Sequence, residues 1–159
     1  MTSTLTKTST LWWLFIATVA ITLSFPIAAQ YFDITLVDGI SSPQITRDTI
    51  AGFSAGQKLA HAWITGTLDV AYPLAYGFLY IGVALRFYPN WGRYLALPSM
   101  LVIPVDLFEG LVQILALIEV TDWLTLKAVV TPLKTVLFLF GLAVAVVAWV
   151  KWVYLRVTS

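Results

Sequence analysis

Four apolar runs dominate this 159-residue chain, at about residues 11–29, 59–85, 94–118 and 131–150. Each is close to or above the roughly 20 residues that carry a helix across about 30 Å of hydrocarbon. In lipid every backbone N–H and C=O must be bonded internally, so only helices or closed barrels can span. The runs are rich in Leu and Ala and do not alternate in ten-residue units, which excludes an outer-membrane barrel. The expectation is an all-α, four-helix transmembrane bundle forming a single domain over 1–159, with no internal repeat. Lys7, an apolar stretch and the Ala28-Ala29 pair also suit a signal peptide, but the run is long, and it reads as a retained span.

Composition closes off the other classes. Hydrophobic residues make up 60% of the chain and charged ones 11%, with a mean hydropathy of +0.89. A soluble domain has about 45–50% and about 25%. Nine basic residues nearly balance eight acidic ones, without the basic stripe a nucleic-acid partner requires. There is no Cys and a single His, so thiolate metal sites, Cys nucleophiles and a His cage fall away. No metal and no cofactor is expected.

Charge gives an orientation. Lys7, Arg86, Arg93, Lys151 and Arg156 lie at the N-terminal tail, the middle loop and the C-terminal end, with no acid among them. The loop 30–58 carries Asp33, Asp38, Asp48, Arg47 and Lys58, and the turn after the third span carries Glu119, Asp122 and Lys127. The positive-inside rule puts both termini in the cytoplasm, as in a bacterial inner-membrane protein. Trp12, Trp13, Trp91, Trp149, Trp152 and Tyr154 then mark the inner interface, and Trp63 and Trp123 the outer one. In the extracytoplasmic loop, 31–37 suits a short strand or an interfacial stretch. Ser42-Pro43 suits an N-cap and first helical residue, so a short helix over 44–51 ends at Gly52. It reads either as lying on the membrane or as a lid over a pocket. Gly52 to Gly56 is formally GxxxG but sits in a polar loop and reads as a corner.

Four ionisable residues fall within or at the edge of the spans: Asp69, Asp106, Glu109 and Lys134. Such groups are costly in lipid and turn to the bundle interior. At 1.5 Å per residue, Asp69, Glu109 and Lys134 each lie about 24–25 Å from the inner boundary, and Asp106 about 20 Å. Helical spacing puts His61, Thr65, Asp69, Tyr72, Tyr76 and Tyr80 on one face, as it does Ser99, Asp106, Glu109 and Gln113, and Lys127, Thr131 and Lys134. Turned inward, the three faces make a polar chamber open to the outer side. Three carboxylates and one Lys give it a formal charge of −2. Like charge and desolvation favour a protonated carboxyl there, and the deepest, Asp106, is the expected one. A protonated acid beside an ionised one suits acid–base chemistry, with Asp106 and Glu109 in those roles. Asp69, Tyr72, Tyr76, Gln113, Lys134 and His61 would hold a ligand. The competing reading is structural: Lys134 snorkels to the headgroups with Pro132 starting its helix, Asp69–Lys134 is a packing pair, Glu109 and Gln113 join helices, and His61 is an interfacial donor. Pro73, Pro98 and Pro104 read as kinks.

The segment Leu68-Asp69-Val70-Ala71-Tyr72-Pro73-Leu74-Ala75-Tyr76-Gly77 resembles the L-D-x-x-[FY]-P-x-x-Y-G pattern of a group of small bacterial four-span proteins of uncharacterised activity. Pro104 to Gly110 (PVDLFEG) resembles that group's D-x-x-E-[NG] step, and Lys134 falls where a Lys-bearing start to the last span is expected. The resemblance covers about two-thirds of the chain. Gly110 stands where the group often has Asn, so one hydrogen-bonding group is lost. A second likeness, in span count, size and acidic residues, is to the EXPERA (sterol isomerase and sigma-2 receptor) superfamily, which gathers intramembrane carboxylates around a lipid-like ligand. The function expected is binding of a small amphipathic or lipid-like molecule in an outward-facing pocket, with isomerase-like proton transfer. The alternatives are a non-catalytic accessory subunit of a larger membrane complex and a proton-coupled carrier acting as a homodimer.

Overall fold

The computed structural model describes residues 2–158, apart from the side chains of Thr2, Ser3 and Arg156. The part of the charge reading that rests on Arg156 lies outside the described side chains. Six α-helices and one 3-10 turn follow in order: α1 (Thr2–Leu5), α2 (Thr8–Phe32), α3 (Pro43–Ala51), α4 (Ala55–Phe87), α5 (Gly92–Leu117), the turn Leu124–Leu126 and α6 (Lys127–Val157). No strand occurs among the described residues, so 31–37 is the end of α2 followed by irregular chain. Four segments, Thr8–Phe32, Ala55–Phe87, Gly92–Leu117 and Leu124–Leu155, are long and apolar enough to cross a membrane.

The helices outrun their apolar cores for readable local reasons. Ser54 accepts from the Gln57 N–H while the Gln57 side chain accepts from the Ser54 N–H, a capping box that starts α4 four residues before its apolar run. With 33 residues α4 is about 50 Å long, well beyond the hydrocarbon core. The far ends of α2 and α5 close on non-glycine residues in the left-handed region, Asp33 (φ 51°) and Glu119 (φ 59°). The Ile34 N–H returns to the Ala29 carbonyl and the Val120 N–H to the Leu115 carbonyl, as in a glycine-type helix end. Pro132 does not start its helix: α6 begins at Lys127 and Pro132 lies inside it, as Pro73, Pro98 and Pro104 do in theirs.

Within the bundle α4 is the central helix. It packs on α2, α5 and α6, while α5 also packs on α6. Gly77 permits a close α4–α5 approach, since a Cβ there would stand 2.5 Å from Ile103 Cγ1. The apolar core near mid-bundle joins Leu11, Tyr76, Leu79, Tyr80 and Val102. The large side chains left on the outside are those lipid must solvate, such as Trp13, Leu23, Ile27, Val136 and Trp149. Lys7 and Arg86 share one end, where the Arg86 guanidinium donates to the Thr6 carbonyl and the Thr8 hydroxyl.

The opposite end carries the long loop. Its helix α3 starts as expected, with Ser42 accepting from the Ile45 N–H and Pro43 in the first turn, and stops at Gly52. It is clasped to the 3-10 turn by Arg47, which holds Asp122 at 2.6 Å and 3.2 Å, and Lys58 holds Glu119 at 2.5 Å. These hydrogen bonds keep the Asp122 and Glu119 carboxyls below their ordinary values of 3.8 and 4.5 and raise Arg47. A depressed folded-state carboxyl stabilises above its ordinary value and stops doing so as pH falls through the lowered one. The pairs are solvent-facing, so the effect is local. Hydrogen-exchange protection of the α3 amides should hold from pH 7 to about 5 and fall below about pH 4. Protection that is flat through pH 3 would show that the clasp does not hold α3 down.

Candidate functional site

All three faces expected from helical spacing do turn inward. His61, Thr65, Asp69, Tyr76 and Tyr80 on α4, Ser99, Asp106, Glu109 and Gln113 on α5, and Lys127 and Thr131 on α6 are buried. Tyr72 is half-buried, and the Lys134 side chain is 17% exposed. The reason is the one that governs any helix in lipid: the face carrying hydrogen-bonding groups must meet another such face.

At the centre, Lys134 Nζ pairs with Glu109 Oε2 and lies 3.1 Å from Asp106 Oδ1. It faces the bundle interior and does not snorkel to the headgroups. Its ion partners are Asp106 and Glu109, so the simple Asp69–Lys134 packing pair is not formed. Tyr76 OH donates to Asp106 Oδ2 at 2.6 Å. Glu109 Oε1 accepts from the Thr131 hydroxyl and lies 3.4 Å from Lys127 Nζ. Both Asp106 oxygens thus face donors. Asp69 has no ion pair among the described residues, and it lines a cavity together with Asp38. A Cβ on Gly110 would meet Asp69 Oδ2 at 3.3 Å. The missing side chain at Gly110 is therefore also the space in which that carboxylate sits.

Above this layer the chain segment from Asp33 to Ser42 crosses the bundle as a strap. Val37 is wholly buried, and its peptide groups are held from two helices. Its N–H donates to His61 Nε2 at 3.3 Å, and its carbonyl accepts from Lys127 Nζ at 2.8 Å. Gln113 donates to Asp38 Oδ1 at 2.9 Å and to Thr65 Oγ1 at 3.1 Å while accepting from Lys127 at 2.9 Å. His61 is therefore a buried acceptor toward the backbone and not an interfacial donor. Its other ring nitrogen faces the Thr65 hydroxyl at 3.3 Å.

Beneath the strap lies a cavity of about 360 Å³, within the usual range for small-molecule sites. Asp38, Asp69, Tyr72, Tyr76, Asp106 and Lys134 form its polar wall. Phe25, Leu36 and Phe138 form an apolar one, with Gly39 and Thr135 at the margins. Tyr72 meets Phe25 and Tyr76 edge-on, at ring separations of 5.7 Å and 4.9 Å, and Tyr76 meets Phe138 at 5.0 Å. Five of the eight residues expected at the site line the cavity: Asp69, Tyr72, Tyr76, Asp106 and Lys134. Glu109, Gln113 and His61 do not; they form the polar network behind and above it. Ser99 shares their face but packs near Tyr80 and Gly141, away from the charges.

By charge Lys127 counts with the outer turn, although its spacing with Thr131 and Lys134 points inward. Asp38 carried no signal, because a loop residue's position depends on how the loop folds back. Counting both, four carboxylates face two ammonium groups, and the formal charge stays at −2. Among the described residues no group of His, Cys, Asp or Glu has the arrangement of a metal site.

Fold and site together define an integral membrane protein of four spans with a charged, aromatic-lined cavity inside the bundle. No family model, no curated protein and no solved structure matches the chain.

Proposed function

We propose that this protein binds a small amphipathic or lipid-like molecule in the intramembrane cavity. The observation that carries this is the two-sided lining. Asp38, Asp69, Tyr76, Asp106 and Lys134 offer a head group hydrogen bonds and charge, and Phe25, Leu36 and Phe138 offer its tail a dry wall. Both segments that resemble the bacterial four-span group contribute to the lining, Leu68 to Gly77 through Asp69, Tyr72 and Tyr76 and Pro104 to Gly110 through Asp106, which supports the same reading. The strap end faces the extracytoplasmic side of a bacterial inner membrane. Support for that comes from Lys7, Arg86, Arg93 and Lys151, which belong to the opposite end.

Where chemistry follows binding, Asp106 is the group that exchanges a proton with the ligand, because it lines the cavity beside the Tyr76 hydroxyl. Glu109 lies behind Lys134 and fixes its charge. Asp69 lines the same cavity and offers the head group a further acceptor.

Native mass spectrometry of the protein purified in mild detergent tests the binding. The wild-type chain should carry an added mass of lipid-like size, and Asp106→Asn should hold it about tenfold more weakly, the loss expected for about 1.4 kcal/mol, and so carry about a tenth of the load where loading is far from saturation. Glu119→Gln, outside the cavity, should keep it. A wild-type chain free of added mass, or Asp106→Asn carrying the same load, refutes the proposal.

A further inference from the structure

α2 is attached differently from the other three long helices. It packs chiefly on α4, and its only buried residue is Leu11, near its start. Its outer half, where Leu23 and Ile27 are exposed, has no buried residue. The cavity is nevertheless walled by Phe25 from α2 and by Thr135 and Phe138 from α6. These two helices contribute facing walls without substantial packing between them. Thr135 is exposed although it lines the cavity. Its neighbours Val136 and Leu139, 65% and 53% exposed, face outward to lipid. Thr135 therefore marks a mouth that opens sideways. Over the top, the strap is tied by His61, Lys127 and Gln113 to α4, α6 and α5. Pro26 removes one backbone hydrogen bond from α2 beside Phe25, which leaves that helix a place to bend.

We propose that the cavity exchanges with the bilayer interior through a lateral mouth between α2 and α6, so that it takes molecules already dissolved in lipid and not solutes arriving from water. This rests on the reading that the cavity binds an amphipath and adds where that ligand comes from. It departs from the expected chamber open to the outer side, since Leu36, Asp38 and Gly39 of the strap are among the lining residues.

The chain has no cysteine, so access can be read directly. Tyr72→Cys places one thiol on the inner cavity wall. In phosphatidylcholine–phosphatidylglycerol vesicles it is treated with an uncharged alkyl maleimide or with a disulfonated maleimide that stays in water. Adding Thr135→Trp should plug the mouth and slow the alkyl reagent at Tyr72→Cys at least tenfold. Adding Phe25→Ala should instead speed it. Because both mouth variants are compared at the same thiol, its intrinsic reactivity cancels. The disulfonated reagent should label Gly39→Cys, on the strap, at least tenfold faster than Tyr72→Cys. Equal labelling of Tyr72→Cys and Gly39→Cys by the disulfonated reagent, with neither mouth variant changing the alkyl rate, overturns the lateral route. Bound mass retained alongside that result leaves the binding proposal standing. Lateral labelling with no bound mass does the reverse.

Discussion

Glu109→Gln should lower the unfolding free energy by about 3–5 kcal/mol, the cost of leaving a buried charge without its partner. The Glu109 carboxylate stands between two ammonium groups, with Lys127 Nζ 3.4 Å from one oxygen and Lys134 Nζ against the other. After the substitution Lys134 still has Asp106, 3.1 Å away. Lys127, which is wholly buried, keeps as direct hydrogen-bond partners only the neutral Val37 carbonyl and the Gln113 amide oxygen. The double variant Glu109→Gln/Lys127→Met removes that stranded charge. It should be more stable than the sum of its parts, by an amount within the roughly 0.5–3 kcal/mol seen for neighbouring groups. Detergent-to-denaturant titration in mixed micelles, followed by the helical circular dichroism signal, measures both quantities. A loss below about 1 kcal/mol for the single variant, or strict additivity in the double, would mean that Lys127 and Glu109 are not energetically coupled.

His61→Leu should free the strap without unfolding the bundle. The Val37 N–H has His61 Nε2 as its acceptor, and it is wholly buried, so no water stands in. Leaving a buried donor unpaired costs about 1–3 kcal/mol. That is a rise in local opening of roughly fivefold to 150-fold. Amide exchange at residues 36–40 should accelerate by that factor while the mid-helix amides of α4 and α5 stay protected. His61→Gln, whose amide oxygen can accept, should recover part of the protection. Exchange that speeds up equally throughout the helices would mean that His61 supports the bundle as a whole and not the strap.

The two results probe opposite sides of one construction. Lys127 reaches from α6 to Glu109 and to the strap at once, so the charge network below and the roof above share a residue. Such coupling between a buried ion cluster and a loop is invisible to periodicity, which reads one helix at a time.

The one-dimensional order of residues determined much of this protein. Four apolar runs of bilayer length fix four spanning helices, because lipid allows few other ways to satisfy a backbone. Spacing by three and four fixes which faces turn inward, so the burial of Asp69, Asp106, Glu109 and Gln113 and the inward turn of Lys134 are legible in the sequence. Ser42-Pro43 and Gly52 likewise bounded α3 by local chemistry alone. Helix ends at Asp33 and Glu119 were not legible, since nothing in those side chains announces a left-handed backbone. The tertiary structure alone decided which carboxylates Lys134 meets, that Asp38 and the Val37 peptide groups join the site, and that α2 stands off from α6. Those are relations between segments distant in sequence, set by how the loop 33–54 folds back and how closely glycines such as Gly77 let helices approach. A helix period reports direction around an axis, and carries no information about what another axis brings to meet it.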